Sequence, residues 1–143
     1  MKTFEYTISV EIHRPRQVVA ETYIDYEQFK HYQAPLFKGY RLLKGRLYHE
    51  GAVVELKYQY KNKLFYMQEV LSDCDLPHSI TQNYLLGDVK NKCKSTFIDK
   101  GDKTLWRMEV VFQFEKDEGQ DKFSFMKKTE EDMIAFKTFM ETV

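Results

Sequence analysis

The sequence predicts an α+β fold: a seven-stranded, curved antiparallel sheet wrapped around one long C-terminal helix. Three observations predict it. The first dozen residues alternate polar and apolar, the stretch from Phe37 to Glu115 is a succession of strand-like segments between turn residues, and Met126, Met133 and Met140 recur every seven residues near the end. At 143 residues the chain fits one domain, 1–143, able to bury about 70% of its unfolded surface.

The first strand places Phe4, Tyr6, Ile8, Val10 and Ile12 on one face and Thr3, Glu5, Thr7, Ser9 and Glu11 on the other, the pattern of a half-buried strand. Pro15 can open a short helix through Val18, Val19, Ala20, Thr22 and Tyr23, because its missing N–H has no partner at a helix start. Asp25 followed by Gln28 reads as a capping box, so a second short helix begins at Tyr26, turns Phe29 and Tyr32 inward and ends before Pro35. Gly51, Lys61-Asn62, Asp75 to Pro77, Gly87-Asp88 and Gly101-Asp102 then punctuate six strands. These fall near 38–48, 52–60, 63–73, 79–86, 89–99 and 103–115, with Gly45 a bulge position. After Gly119 the methionine spacing, echoed by Thr129, Phe136 and Val143, predicts an amphipathic helix over 122–142. It is about 30 Å long at 1.5 Å per residue.

Composition narrows the function classes. Twenty-two Lys plus Arg balance 22 Asp plus Glu, and the pI is near 6.9, so the basic footprint of a general nucleic-acid binder is missing. Aromatic residues at 15% exceed what a core this small needs. No signal-peptide core or continuous apolar span is present, which points to a cytoplasmic protein without an integral membrane segment. Cys74 and Cys93 form no CxxC motif and read as reduced thiols, and His13, His31, His49 and His78 are too scattered for a metal site. No metal and no cofactor is expected.

The element order, together with Ile12-His13-Arg14-Pro15-Arg16-Gln17-Val18-Val19, Tyr23-Ile24-Asp25 and Tyr32, resembles the START/SRPBCC superfamily. Its Bet v 1-like and polyketide cyclase/dehydrase-like members share the helix-grip fold. Glu69-Val70-Leu71-Ser72-Asp73 ahead of Pro77 is a second similar piece, while Tyr32 stands where many relatives have Trp and Val19 where many have Trp or Phe. The resemblance implies a helix-grip fold hosting carriers, cyclases, hydrolases or co-chaperone-like modules. Its motifs are structural and none is catalytic.

A curved sheet and a helix rarely match along their whole length, so the expected site is a cavity between them. Lys90, Lys92 and Lys94 cannot be buried together, which turns Asn91, Cys93, Ser95 and Phe97 inward. Asn91 and Ser95 are either satisfied by neighbours or orient a ligand's polar end. The last strand sends Trp106, Met108, Val110, Phe112 and Phe114 inward, and the third carries the phenols of Tyr58 and Tyr60 on its inner face. Tyr58, Tyr60 and Tyr84 are therefore candidate hydrogen-bond donors into the pocket, or phenols packed at the sheet rim. From the long helix come Met126, Met133, Phe136 and Met140, which fill the core or line an adaptable pocket.

Catalysis would need an acid, base or nucleophile at that cavity. No GxSxG, Cys/His pair or Walker A pattern occurs. The weak candidates are Glu69, Tyr66 and His31, the last placed near the cavity mouth. The strand 63–73 is ambiguous in facing, and Glu69 reads first as a solvated carboxylate or one paired with a lysine across the sheet. Inward, it would become a carboxyl with raised pKa and a general base. Three function classes follow. The leading one is binding, transport or sequestration of a small hydrophobic molecule, such as a lipid or polycyclic compound. The others are a polyketide cyclase/dehydratase-like enzyme and a protein-interaction module resembling heat-shock ATPase activator homologues.

Overall fold

The structure, a computed structural model, describes residues 1–142. Val143, the last position of the helical spacing, lies outside them. The elements run β1 (Lys2–Ile12), α1 (Arg16–Ile24), a 3₁₀ helix (Tyr26–His31), β2 (Leu36–Lys44), β3 (Val53–Tyr60), β4 (Lys63–Asp75), β5 (Ser79–Leu86), β6 (Val89–Asp99), β7 (Thr104–Phe114) and α2 (Lys122–Thr142). All seven strands form one antiparallel sheet in the order β1-β7-β6-β5-β4-β3-β2. Hairpins build the meander from β2 to β7, and β1 adds to its far side against β7.

Because side chains alternate along each strand, register decides what faces α2. Phe4 pairs with Phe112, Tyr6 with Val110 and Val10 with Trp106, so the apolar sets of β1 and β7 share one face. Across β6 and β7, Cys93 opposes Val110 and Phe97 opposes Trp106, while Lys90, Lys92 and Lys94 are exposed on the other side. In β2 the extra residue Lys38 separates the Phe37–Tyr58 pair from the Gly39–Lys57 pair. That bulge moves the inward phase from Phe37 to Tyr40, which a regular strand could not do.

Local departures from the sequence reading have identifiable causes. Pro15 sits at the N-cap, one position before α1 begins. Asp25 ends α1 and caps the next element, but its side chain accepts from the Glu27 amide at 3.0 Å and not from Gln28. The tighter 3₁₀ turn moves the orphan amide one residue closer. β2 stops at Lys44, short of the expected 48. Gly45 is not a bulge residue; the second β2 irregularity lies just before it, between Leu42 and Lys44. Gly45 takes φ +81°, and a Cβ there would meet Ala52 Cα at 3.1 Å, so the loop back to β3 passes close against it. A further irregularity carries β4 past Ser72 to Asp75.

Two apolar clusters fill the interior. One lies under α2 and contains Trp106, Phe97, Met133, Phe136 and Met140. The other gathers Tyr26 and Phe29 of the 3₁₀ helix against Phe37, Val54, Leu56 and Tyr58. Full burial of one such side chain stabilises by about 1.5–3 kcal/mol, so the stripe Met133, Phe136, Met140 is a main anchor of α2. Tyr32 and Tyr84 touch both clusters. Where the clusters meet, the packing is incomplete.

Candidate functional site: a cavity between sheet and helix

The gap is a cavity of about 360 Å³. Ligand pockets run from about 300 to 1,000 Å³, so it has room for a small molecule. β7 contributes Trp106, Met108 and Phe112, and β6 contributes Asn91 and Cys93. Tyr58 of β3 and Tyr84 of β5 close the sheet side, and Met133 and Phe136 face them from α2. Trp106, Phe112 and Met133 thus surround the space and do not fill it.

The other sequence candidates lie elsewhere. Ser95 and Phe97 are fully buried behind Trp106, within the core. Met126 packs against the same core outside the cavity wall. Tyr60 has the expected inward phase but is 57% exposed, because β3 ends there in its turn, beyond the reach of the core. Tyr66 is on the outer face, half exposed, with the Lys57 ammonium 6.0 Å from its ring centre. His31 is exposed and stacks on Phe139 at 5.5 Å, off the cavity wall.

Glu69 overturns the solvated reading. It is 1% exposed, and no lysine pairs with it. Phe65 and Met67 face the cavity on the same side of β4, while Leu64 and Tyr66 face solvent, which settles the strand's facing. Tyr26 Oη donates to Glu69 Oε1 at 2.5 Å, and Gln82 Nε2 donates to Oε2 at 3.0 Å. Burial drives the Glu69 pKa above the ordinary carboxylate value, and hydrogen bonds from Tyr26, Tyr84 and Gln82 pull it partly back.

From Glu69 the hydrogen bonds run across the floor of the cavity. Tyr23 donates to Gln82 Oε1, Ser95 Oγ donates to Tyr23 Oη at 3.2 Å, and Trp106 Nε1 donates to Ser95 Oγ at 3.0 Å. Five side chains from α1, β5, β6, β7 and β4 are thereby tied together. Gln82, Tyr84 and Tyr23 are in the wall itself, and Glu69 stands behind them. Cys93 also reaches the wall, but burial pushes its thiol up to about 12, which makes it a poor nucleophile.

At the surface the wall is closed by α2 and the segment after the 3₁₀ helix. Lys128 Nζ donates to the Ala34 carbonyl at 2.7 Å and pairs with Asp132. Tyr58 Oη donates to Gln33 Oε1 at 2.6 Å on the same side. Thr129 holds α2 to β1 through Tyr6 Oη at 2.7 Å.

Sequence reasoning missed Tyr23, Tyr32, Gln82, Lys128 and Asp132 as wall residues. Gln82 had a signal, since Ile80, Gln82 and Tyr84 alternate on one face of β5. Lys128 and Asp132 had a weaker one in their spacing of four on α2. Among the described residues no cluster of three His, Cys, Asp or Glu is arranged to hold a metal, and no helix is long and apolar enough to cross a membrane.

No protein-family model matches the chain, and no curated protein matches its sequence. Solved structures do match it. The chain is similar to Ara h 8.0201, with a TM-score of 0.81 and 11% identity over 99% of this chain and 100% of that one. It is similar to a START superfamily protein from Mycobacterium smegmatis, with a TM-score of 0.79 and 13% identity over 96% and 97% of the two chains. It is similar also to the Zhui aromatase/cyclase from a Streptomyces species, with a TM-score of 0.74 and 14% identity over 98% and 94%. At these identities the likeness is one of fold. The chain has the START/SRPBCC helix-grip fold that its element order predicts.

Proposed function

We propose that this protein binds a small hydrophobic molecule, such as a lipid or polycyclic compound, in the cavity between sheet and α2. The observation that carries the reading is the cavity of about 360 Å³ walled by Trp106, Met108, Phe112, Met133 and Phe136, with a few polar groups set among them. Apolar walls with sparse, placed polar groups are the usual construction of a ligand site. The START/SRPBCC fold hosts proteins that bind hydrophobic ligands, which supports the same reading. Tyr58, Tyr84 and Asn91 are proposed as polar contacts in this site.

The test is a thermal-shift screen with neutral lipids, sterols and polycyclic compounds, paired with Nile red fluorescence. A ligand at 100 times its Kd stabilises by about 2.7 kcal/mol, so a productive class raises the melting temperature by several degrees. No stabilisation across the panel, together with unchanged Nile red emission, would overturn the proposal.

A second reading, a cyclase- or dehydratase-like enzyme, draws on Glu69 and on the aromatase/cyclase among the similar structures. Tyr66 and His31 lie off the cavity, so the base would be Glu69, taking the Tyr84 hydroxyl proton as that hydroxyl takes the substrate's. A Glu69→Gln protein with undiminished turnover would remove this reading.

A further inference from the structure

Three of the four phenols of the cavity wall are paired within the protein, and the fourth is not. Tyr58 gives its proton to Gln33, Tyr23 gives its proton to Gln82, and Tyr84 is directed at Glu69. Tyr32 belongs to the same wall. Its ring is wedged between Phe136 at 5.0 Å, Phe139 at 5.6 Å and Phe29 at 6.0 Å. Its hydroxyl oxygen is shut off from solvent and has no hydrogen-bond partner among the described residues.

A buried hydroxyl without a partner is uncommon, because it gives up its bonds to water for nothing. Burial holds the Tyr32 phenol protonated far above the usual tyrosine range, so the group is a donor in want of an acceptor. We propose that the ligand is a neutral, largely apolar molecule bearing a carbonyl or similar acceptor oxygen, and that Tyr32 Oη donates to that oxygen. The inference rests on the hydrophobic-ligand reading of the cavity and adds the chemistry of the ligand's polar end. Neutrality follows from the charges nearby. The cation of the wall, Lys128, is held by Asp132 and the Ala34 carbonyl, and the carboxyl behind the wall is Glu69. An anionic ligand placed at Tyr32 would lose its hydration without gaining a free cation.

Fluorenone and fluorene test the acceptor, since they differ only in a carbonyl in place of a methylene, with fluorene carboxylate as the charged member of the set. Each is titrated against the wild type and Tyr32→Phe. The wild type is expected to bind fluorenone about three- to tenfold more tightly than fluorene, the range of one net hydrogen bond. Tyr32→Phe should bind both equally, and fluorene carboxylate should bind the wild type more weakly than fluorenone does. The fluorenone carbonyl stretch should move to lower frequency in the wild-type complex than in an alkane solvent. An unshifted stretch refutes the proposal even where Tyr32→Phe does not fold. Equal wild-type binding of the two neutral compounds overturns the proposal and leaves the cavity reading standing. So does a fluorenone preference that survives in Tyr32→Phe, an unshifted stretch, or tightest binding of the carboxylate. If none of the three binds and Nile red does not either, the cavity reading itself fails and takes this proposal with it.

Discussion

Tyr26 Oη and Glu69 Oε1 are 2.5 Å apart although 43 residues separate them in the chain. The bond pins the 3₁₀ helix to the inner face of β4 and supplies a donor to a carboxyl that has lost its water. Tyr26→Phe removes that donor and leaves the carboxyl under-satisfied. The expected cost is about 1–3 kcal/mol, read as a lower urea midpoint with an unchanged slope.

Glu69 also sets a pH dependence. Its pKa in the folded protein is raised, first by burial, above the ordinary 4.5. The folded state therefore binds the proton more tightly than the unfolded chain does. Its favourable contribution is full below the unfolded value and is lost as pH rises from there through the raised folded value. Lowered carboxylates such as Glu141 act with the opposite sign, so the readout is a difference between proteins. The stability of the wild type relative to Glu69→Gln is expected to fall as pH rises from about 4.5 toward neutrality. A difference that is flat or rises with pH would contradict the assignment.

Ser95 is fully buried and serves two partners, accepting from Trp106 Nε1 and donating to Tyr23 Oη. Ser95→Ala strands the indole N–H in an apolar setting, at an expected cost of about 1–3 kcal/mol. Trp106 is the sole tryptophan, so its emission reports the change directly. A shorter emission wavelength should accompany the lower melting temperature. Unaltered stability would mean that the hydroxyl bridges nothing of consequence.

Much of this architecture was legible because its signals are local. Lys90, Lys92 and Lys94 orient β6 without reference to any other strand, and the methionine spacing marks α2 over the residues it occupies. Glu69 was not legible in the same way. β4 mixes polar and apolar residues on both faces, and the partners that make a buried carboxyl tolerable, Tyr26 and Gln82, come from other elements. Tyr60 illustrates a different limit: alternation gives a side chain's face but not how far along the strand the core extends. The free hydroxyl of Tyr32 is less visible still, since being unpaired is a property of everything around it.

The Lys128 contact spans from α2 to the Ala34 carbonyl across the surface end of the cavity. It is exposed, and such contacts contribute at most about 1 kcal/mol to stability. Lys128→Met should leave the melting temperature nearly unchanged while speeding both entry and release of Nile red in stopped-flow measurements. Unchanged rates would show that ligands enter elsewhere.

Methionine methyl spectra reach the central claim most directly. Met67, Met108 and Met133 line the cavity, whereas Met1 is exposed and Met140 is buried outside the wall. In a protein labelled at the methionine methyl carbons and titrated with fluorenone, the resonances of Met67, Met108 and Met133 are expected to shift together and saturate at one equivalent. Met1 and Met140 should hold still. Shifts at Met1 or Met140 alone, or no shifts under conditions where ligand is bound, would place the guest somewhere other than between the sheet and α2.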